Sequence, residues 1–340
     1  MEIQRIGFDA WGDALPSSGF EVFHLPAALR VLDDHADGEC RLYAARKGQH
    51  TIGLLPVFVA ERPVGRTAFS PPPGFSIPRL GPLLMPNSPK RSKRERLNRE
   101  LVSTVLSDVD ADAATTLFRM TTPLSYADPR PLSWNDLSVQ PQFTYVVDLS
   151  EHDDMESLLA GFSKSLRREM REIEDLDLTI ADEGLDGARQ IHREVVERLA
   201  EQGETPPASR SFAEDIFEAL GDRARAYVAR DPDGRYLGGV VTLFSNDLAY
   251  YWLGGVRSSY ENVSVNTLVH RRVMADILED PELESVWGYD LVGANTERLC
   301  EYKAKFAGDL EPYYAAESSG VGMSAAKAAY QMVNGSLTKG

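Results

Sequence analysis

The chain has 340 residues, enough for about two domains of ordinary size, and its 43% hydrophobic content excludes a largely disordered chain. A net charge of −16 disfavours a general nucleic-acid coat, because phosphates are repelled wherever basic groups are not gathered locally. Lysine is scarce, 8 residues against 28 Arg beside 26 Asp and 26 Glu, an acidic, halophile-like surface suited to a high-salt cytoplasm. Cys40 and Cys300 are the only cysteines and show no metal-ligand spacing, so neither a disulfide framework nor a structural zinc site is expected. Met1–Gln4 lacks the basic and apolar regions of a signal peptide, and no apolar run approaches a membrane span of about 18 residues. The expectation is a cytoplasmic protein with no membrane span.

In chain order, Arg41–Arg46 and Thr51–Ala60 read as strands around the turn Lys47-Gly48-Gln49. Residues 62–89 are rich in Pro and Gly and read as loop with short extended pieces. Lys90–Leu106 carries Leu97, Leu101, Val102 and Val105 on one helical face. Thr115–Met120 and Phe143–Leu149 are expected strands. From Asp154, apolar residues at Met155, Leu158, Leu159, Phe162, Leu166, Met170 and Ile173 keep helical spacing, which predicts one helix. Helices follow over 184–202 and 211–220. Arg225–Arg230, Tyr236–Phe244 and Leu248–Val256 read as strands joined by Asp231-Pro232-Asp233-Gly234 and Ser245-Asn246-Asp247. The pattern closes with a helix at 264–279, a strand at 285–291, a helix at 296–306, a strand at 310–316, and a small, polar tail with the pattern of a loose helix.

Arg41-Leu42-Tyr43-Ala44-Ala45-Arg46 echoes Arg225-Ala226-Tyr227-Val228-Ala229-Arg230, 184 residues later. Each copy leads through a turn and a glycine (Gly53, Gly238) into a second apolar strand, then into helix and strand. This reads as an internal duplication of one α/β unit; a chance recurrence of a strand pattern is the alternative. The expected division is 1–150, 151–318 and a tail at 319–340.

Three segments hold candidate chemistry. Lys164, Arg168 and Arg171 fall at i, i+4 and i+7 with Arg167 beside them, a basic helix face suited to phosphate contact; a solvated face paired with Glu169, Glu172 and Glu174 is the alternative. Lys90–Glu100 carries a local charge of +4 and leaves the rest of the chain at −20; it reads as an exposed helix or an anion contact. Tyr289-Asp290 ends a strand and leads through Asn295 into a helix bearing Lys303 and Lys305, where α/β proteins build sites. A lysine there serves an oxyanion or simply caps the helix C-terminus. No phosphate-binding loop, nucleophile elbow or zinc-helix motif is present, and the six histidines show no metal spacing.

The run F-S-K-S-L-R-R-E-M-R-E, the strands after it, Y-D-L-V-G-A-N-T and Y-K-A-K-F-A-G-D-L-E-P-Y-Y, with G-L-L-P-V at Gly53–Val57 and T-Y-V-V-D-L at Thr144–Leu149, resemble the Fem-type aminoacyltransferase family, a branch of the GNAT acyltransferase superfamily. The resemblance covers about residues 20–316 and rests on the order of short motifs. It implies an α/β fold with mixed sheet, built as two tandem GNAT-like domains, and transfer of an acyl or aminoacyl group to an amine. The implied co-substrate is acyl-CoA or aminoacyl-tRNA, with no tightly bound cofactor and no metal. The implied partners are a small-molecule or envelope-precursor acceptor, polysaccharide precursors included, and tRNA if that is the donor. By resemblance, Lys303 and Phe306 match a terminal motif near the transfer site, with Lys305 a basic neighbour. Lys164, Arg167 and Arg168 match the basic helix opening the second domain, and Tyr289, Asp290 and Asn295 the acceptor cleft.

One departure concerns the donor. GNAT enzymes that use acetyl-CoA hold its pyrophosphate on a glycine-rich loop at a helix N-terminus. The corresponding Gly255–Val263 stretch has Arg257, a candidate donor contact, but no following glycine. Ser264, Asn266 and Thr267 remain as residues able to cap a helix over a phosphate. In the implied reaction an amine attacks an ester or thioester carbonyl, Lys303 or Lys305 stabilises the oxyanion, and Asp290 or Tyr289 takes the proton directly or through water. The rival class is a GNAT-like binding or scaffold protein that keeps the cleft without chemistry.

Overall fold

The computed structural model describes residues 1–319 except 64, 87, 173–175, 205–207 and 256–257. The tail expected as a loose helix lies outside the described residues from 320 onward. In chain order the elements are β1 (Glu2–Ile6), α1 (Phe8–Ala14), α2 (Pro26–His35), β2 (Glu39–Lys47), β3 (His50–Glu61), β4 (Arg66–Ser70), β5 (Leu83–Leu84), α3 (Arg91–Asp108), β6 (Thr116–Thr121), α4 (Arg130–Ser133) and β7 (Leu137–Asp148). Then come α5 (Met155–Gly161), α6 (Lys164–Arg171), β8 (Thr179–Asp182), α7 (Gly184–Glu201), α8 (Arg210–Leu220), β9 (Ala224–Arg230), β10 (Tyr236–Phe244) and β11 (Leu248–Gly254). The last are β12 (Ser259–Tyr260), β13 (Val263–Ser264), α9 (Val265–Glu279), β14 (Gly288–Asp290), α10 (Glu297–Lys303) and β15 (Asp309–Ser318).

The chain forms two compact units. The first holds residues 1–73, 77–142 and the C-terminal segment from Pro312; the second holds 74–76 and 143–311. In the first, β1 to β4 pair antiparallel in sequence order, β4 runs parallel to β6, and the end of β15 pairs antiparallel with β6. In the second, β8, β9, β10 and β11 pair antiparallel, β11 runs parallel to β14, and the end of β7 pairs antiparallel with β14. Each unit is therefore an antiparallel meander, a crossover helix (α3 or α9), a strand parallel to the last of the meander, and a closing antiparallel strand. The helices cover apolar faces: Leu97, Leu101, Val102 and Val105 enter one core, and Val265, Val269, Val273 and Met274 enter the other.

The duplication extends to side-chain contacts. In the first unit, Tyr43 donates to Asp108 at the end of α3 at 2.5 Å, with Arg41 3.7 Å from the same carboxylate. In the second, Arg225 pairs with Asp280 at 2.6 Å and approaches Asp276 at 3.8 Å, and buried Tyr227 lies in the field of both Arg225 and Asp276. The same Arg-x-Tyr strand thus meets carboxylates at the end of the crossover helix in both copies. The two glycines also correspond: a Cβ on Gly53 would stand 3.1 Å from Leu101 of α3, and one on Gly238 would stand 3.3 Å from Val265 of α9. Each lets its helix lie close to the sheet.

Two local expectations change and a third is met. The single helix from Asp154 is two helices, because Ser163 leaves the helical path, caps α6 by accepting from Leu166 N, and gives its own N–H to Lys305 O at 3.0 Å. The apolar period runs across this break because Phe162, Leu166 and Met170 all reach one core. The short extended pieces expected within 62–89 are β4 and β5. The strand expected at 285–291 pairs only over Gly288–Asp290, and its early end shapes the site.

Candidate functional site

The second unit brings its candidate residues together where a parallel pair of strands separates. Leu248, Ala249 and Tyr250 of β11 stand opposite Gly288, Tyr289 and Asp290 of β14. Gly288 permits this packing, since a Cβ there would come within 2.9 Å of Leu248 and 3.0 Å of Val146. Beyond Asp290 the chain turns towards β7: Leu291 N donates to Tyr145 O at 2.9 Å and Ala294 N to Phe143 O at 2.8 Å. β11 continues to Gly254 and carries one extra residue, because Thr242 opposes Tyr251 while Val241 opposes Leu253, leaving Trp252 as a bulge. The bulge re-aims the end of the strand. The crevice at the carboxyl ends of parallel strands is where sheets of this type hold ligands.

The turn that ends β14 is strained and held from several sides. Val292 has φ +51° and Gly293 φ +82°; left-handed backbone at a β-branched residue costs about 1–3 kcal/mol and persists only where its surroundings impose it. Asp290 accepts from Val292 N at 2.8 Å and from Thr144 Oγ1 at 2.6 Å. Thr144 Oγ1 in turn accepts from Gly293 N at 3.1 Å. Lys303, in the last turn of α10, donates its Nζ to Val292 O at 2.6 Å and Gly293 O at 2.7 Å. Its side chain is only 5% exposed, and burial pushes its pKa down to about 8 against the opposing pull of Asp290 and Cys300.

An aromatic cluster stands beside the lysine. His270 of α9 is fully buried; its Nδ1 meets Tyr289 Oη at 2.9 Å and its Nε2 meets Asn266 Nδ2 at 3.1 Å. Asn266 Nδ2 also donates to Tyr302 Oη at 3.1 Å. Because the amide donates to Nε2, His270 carries its proton on Nδ1 and donates it to Tyr289. Burial, with the nearby Lys303 charge, holds the histidine down to about 3, so it is neutral at physiological pH. Burial raises Tyr289 well above the usual tyrosine range. The ring of Phe306 lies 5.3 Å from His270 and 5.7 Å from Phe162.

Lys303, Asp290, Tyr289 and Phe306 therefore come together, all within the interior. Lys305 is exposed, and its carbonyl accepts from Ser163 N at 3.0 Å, which fixes it beside the start of α6. On α6, Leu166 and Met170 enter the core, each burial contributing about 1.5–3 kcal/mol. Lys164, Arg167, Arg168 and Arg171 line a shallow surface cleft on the outer face. Arg167 donates to Ala160 O at 3.2 Å, Arg168 lies 3.6 Å from Glu172, and Arg171 pairs with Glu156 at 2.6 Å. Asn295 clamps β7, accepting from Phe143 N at 2.9 Å and donating to Phe143 O at 3.3 Å.

Arg257 lies outside the described residues. On the near side of that gap, Gly254 and Gly255 have φ +136° and +83°, and Gly255 O accepts from Arg198 at 2.5 Å. On the far side, Ser264 caps α9 by accepting from Thr267 N at 3.4 Å, whereas Asn266 points inward to His270. Thr144, Val292 and His270 were not singled out by sequence reasoning. The signal available for His270 is spacing on α9, where Asn266 and His270 at i and i+4 share a face; Thr144 and Val292 carry no such signal. Among the described residues no group of His, Cys, Asp and Glu is arranged to hold a metal, and no helix is long and apolar enough to cross a membrane.

Residues 160–304 match the family model described as an acetyltransferase (GNAT) domain. A sequence search of curated proteins finds no match. Among solved structures, FemX aligns over 92% of this chain and 97% of its own, at 13% identity and a TM-score of 0.68. The C-terminal domain of a putative lysylphosphatidylglycerol synthetase from Agrobacterium fabrum aligns over 96% and 95%, at 14% identity and a TM-score of 0.57. A tandem GNAT protein from the clavulanic acid biosynthesis pathway aligns over 94% and 99%, at 14% identity and a TM-score of 0.51. The chain has a fold like that of FemX and of the tandem GNAT protein, and the stretch that matches the acetyltransferase (GNAT) domain model lies within its second unit.

Proposed function

We propose that the second unit transfers an acyl or aminoacyl group from acyl-CoA or aminoacyl-tRNA to an amine on a small-molecule or cell-envelope precursor. The observation that carries the reading is Lys303, buried at the parting of β11 and β14 with two of its three N–H donors on a strained turn. A lysine ammonium has three donors, so one remains for a developing oxyanion. Such a donor, fixed before the reaction, is worth about 10²–10³ in rate.

In the reaction the neutral amine attacks the carbonyl carbon of the donor, the carbonyl oxygen becomes the oxyanion, and on its collapse the thiolate leaves, or the ribose oxygen leaves as a hydroxyl on taking back the proton lost by the amine. Lys303 stabilises the oxyanion. Asp290 favours the charged form of that lysine and fixes the turn through Val292 N. The proton lost by the amine passes to Asp290 through water; Tyr289, bonded to His270, keeps the end of β14 in position. Lys164, Arg167 and Arg168, with Lys305, meet phosphates of the donor, as does Arg257. Asn295 and Phe306 hold the strand end and the wall of the site. Support for the donor classes comes from the GNAT domain match and the likeness to FemX.

The test is to supply the purified chain with a series of acyl-CoA thioesters and with charged tRNA, each with and without amine acceptors. Acceptor-dependent release of CoA thiol or uncharged tRNA is expected from one donor class, and loss of about 10² or more in rate in Lys303→Met. No acceptor-dependent consumption of either donor class would leave the scaffold reading in its place.

A further inference from the structure

The first unit carries a separate cationic cleft formed by α3 and the β2–β3 hairpin. Lys93, Arg96, Leu97 and Glu100 lie at i, i+3, i+4 and i+7, on one face of α3, and Lys47 faces them from the end of β2. Leu97, 4% exposed, and Ile52, 6% exposed, form an apolar floor extended by Pro86. Arg96 is neutralised by Glu100 at 2.5 Å, as Arg91 nearby is by Glu95 at 2.9 Å. Among the described residues, Lys47 and Lys93 meet no carboxylate. In a chain of net charge −16 with 8 lysines, two unneutralised lysines over one apolar floor form a local positive field that draws an anion.

The floor narrows the class of anion. A nucleic-acid groove stacks bases on aromatic side chains, and no aromatic residue lines this cleft. Inorganic phosphate would gain nothing from Leu97 and Ile52. The cavity measures about 220 Å³, below the ~300–1,000 Å³ of sites that enclose a whole drug-sized ligand, so it seats a head group and the hydrocarbon next to it.

We propose that this cleft binds an anionic amphiphile, its carboxylate or phosphate at Lys47 and Lys93 and its first carbons on Ile52, Leu97 and Pro86. The alternative use of the same residues is two lysine stems covering the floor with their heads in water. The proposal does not depend on the transfer reaction, because its readout is binding alone.

The experiment is calorimetric titration of the full chain at low salt with dodecanoate below its micelle concentration, beside dodecyltrimethylammonium (same tail, opposite charge) and acetate (same head, no tail). One-to-one binding of dodecanoate at least about tenfold tighter than either control is expected. The double variant Lys47→Glu, Lys93→Glu, both exposed side chains, is expected to weaken it by at least about tenfold with an unchanged thermal midpoint. Equal binding of acetate, equal binding of the cationic detergent, or full affinity in the folded double variant would each overturn the assignment. Flotation with phosphatidylglycerol and phosphatidylcholine vesicles separates the sources. Capture by the anionic vesicles alone, lost in the double variant, identifies a lipid surface, and dodecanoate binding without capture identifies a free amphiphile.

Discussion

Replacing Lys303 with methionine separates the cost of burying a charge from the benefit of the bonds it makes. The ammonium has an ordinary pKa of 10.5 and is brought to about 8 by burial. A base whose pKa falls on folding binds more protons in the unfolded chain throughout the window between those values, so stability rises with pH there. Complete release is worth about 3 kcal/mol at about 1.4 kcal/mol per unit, and about 2 kcal/mol of it falls between pH 7 and 9.5. Methionine removes that penalty at pH 7 but leaves Val292 O and Gly293 O without their donor, at about 1–3 kcal/mol each. The two effects nearly balance, so the variant folds. Urea unfolding followed by tryptophan fluorescence, at steps from pH 7 to 9.5, should show wild type gaining about 2 kcal/mol relative to the variant. Parallel curves for the two proteins would refute a buried, charged Lys303.

Gly293→Ala adds a Cβ that meets no atom within 4 Å at φ +82°, so its cost is conformational, about 1–2 kcal/mol, and a thermal midpoint equal to wild type would contradict the turn. In the first unit, Arg79 and Glu21 are buried and joined by two bonds of 3.0 Å. Arg79→Met strands the carboxylate and should cost about 3–5 kcal/mol at pH 7 by urea unfolding. Burial raises the pKa of Glu21, but Arg79 outweighs it and the net shift is downward from 4.5. The pair's stabilisation is therefore present above pH 4.5 and lost as pH falls through the lower folded value; the variant's deficit should shrink on acidification. Lys164→Glu with Arg168→Glu alters exposed side chains, so stability should move by no more than about 0.5 kcal/mol. Donor KM should rise about tenfold or more with kcat little changed, and an unchanged KM would remove the basic helix from donor binding.

The duplication was legible because Arg-x-Tyr on a strand and an apolar crossover helix are local patterns that recur in order. The Asp108 and Asp276 contacts were not, since they join residues dozens of positions apart. The break between α5 and α6 was masked by Phe162 and Leu166, which keep a helical period while the backbone between them does not. At the site, Lys303 and Asp290 stood out as charges near a strand end, but their locking turn did not. A valine two residues beyond Asp290 argues for extended backbone, and its left-handed conformation is imposed through Asp290 and Gly293 by Thr144, 146 residues from Asp290 in sequence. His270 stood in the sequence only as one of six histidines without metal spacing; its bond to Tyr289 depends on how α9 lies across the sheet.

The closing strands have a consequence for the order of events during synthesis. β14 is closed by the end of β7, which precedes it in the chain, whereas β6 is closed by the end of β15, at the far terminus of the described residues. The second unit thus has all its strands once residue 311 has emerged, before the first unit receives its last. At about 5–20 residues per second, the roughly 170 residues between the two pieces of the first unit take about 10–35 s to make. Throughout that interval β6 presents an unpaired edge. The N-terminal unit is the later of the two to mature, and until β15 arrives its open edge is a strand edge that its own chain has yet to cover.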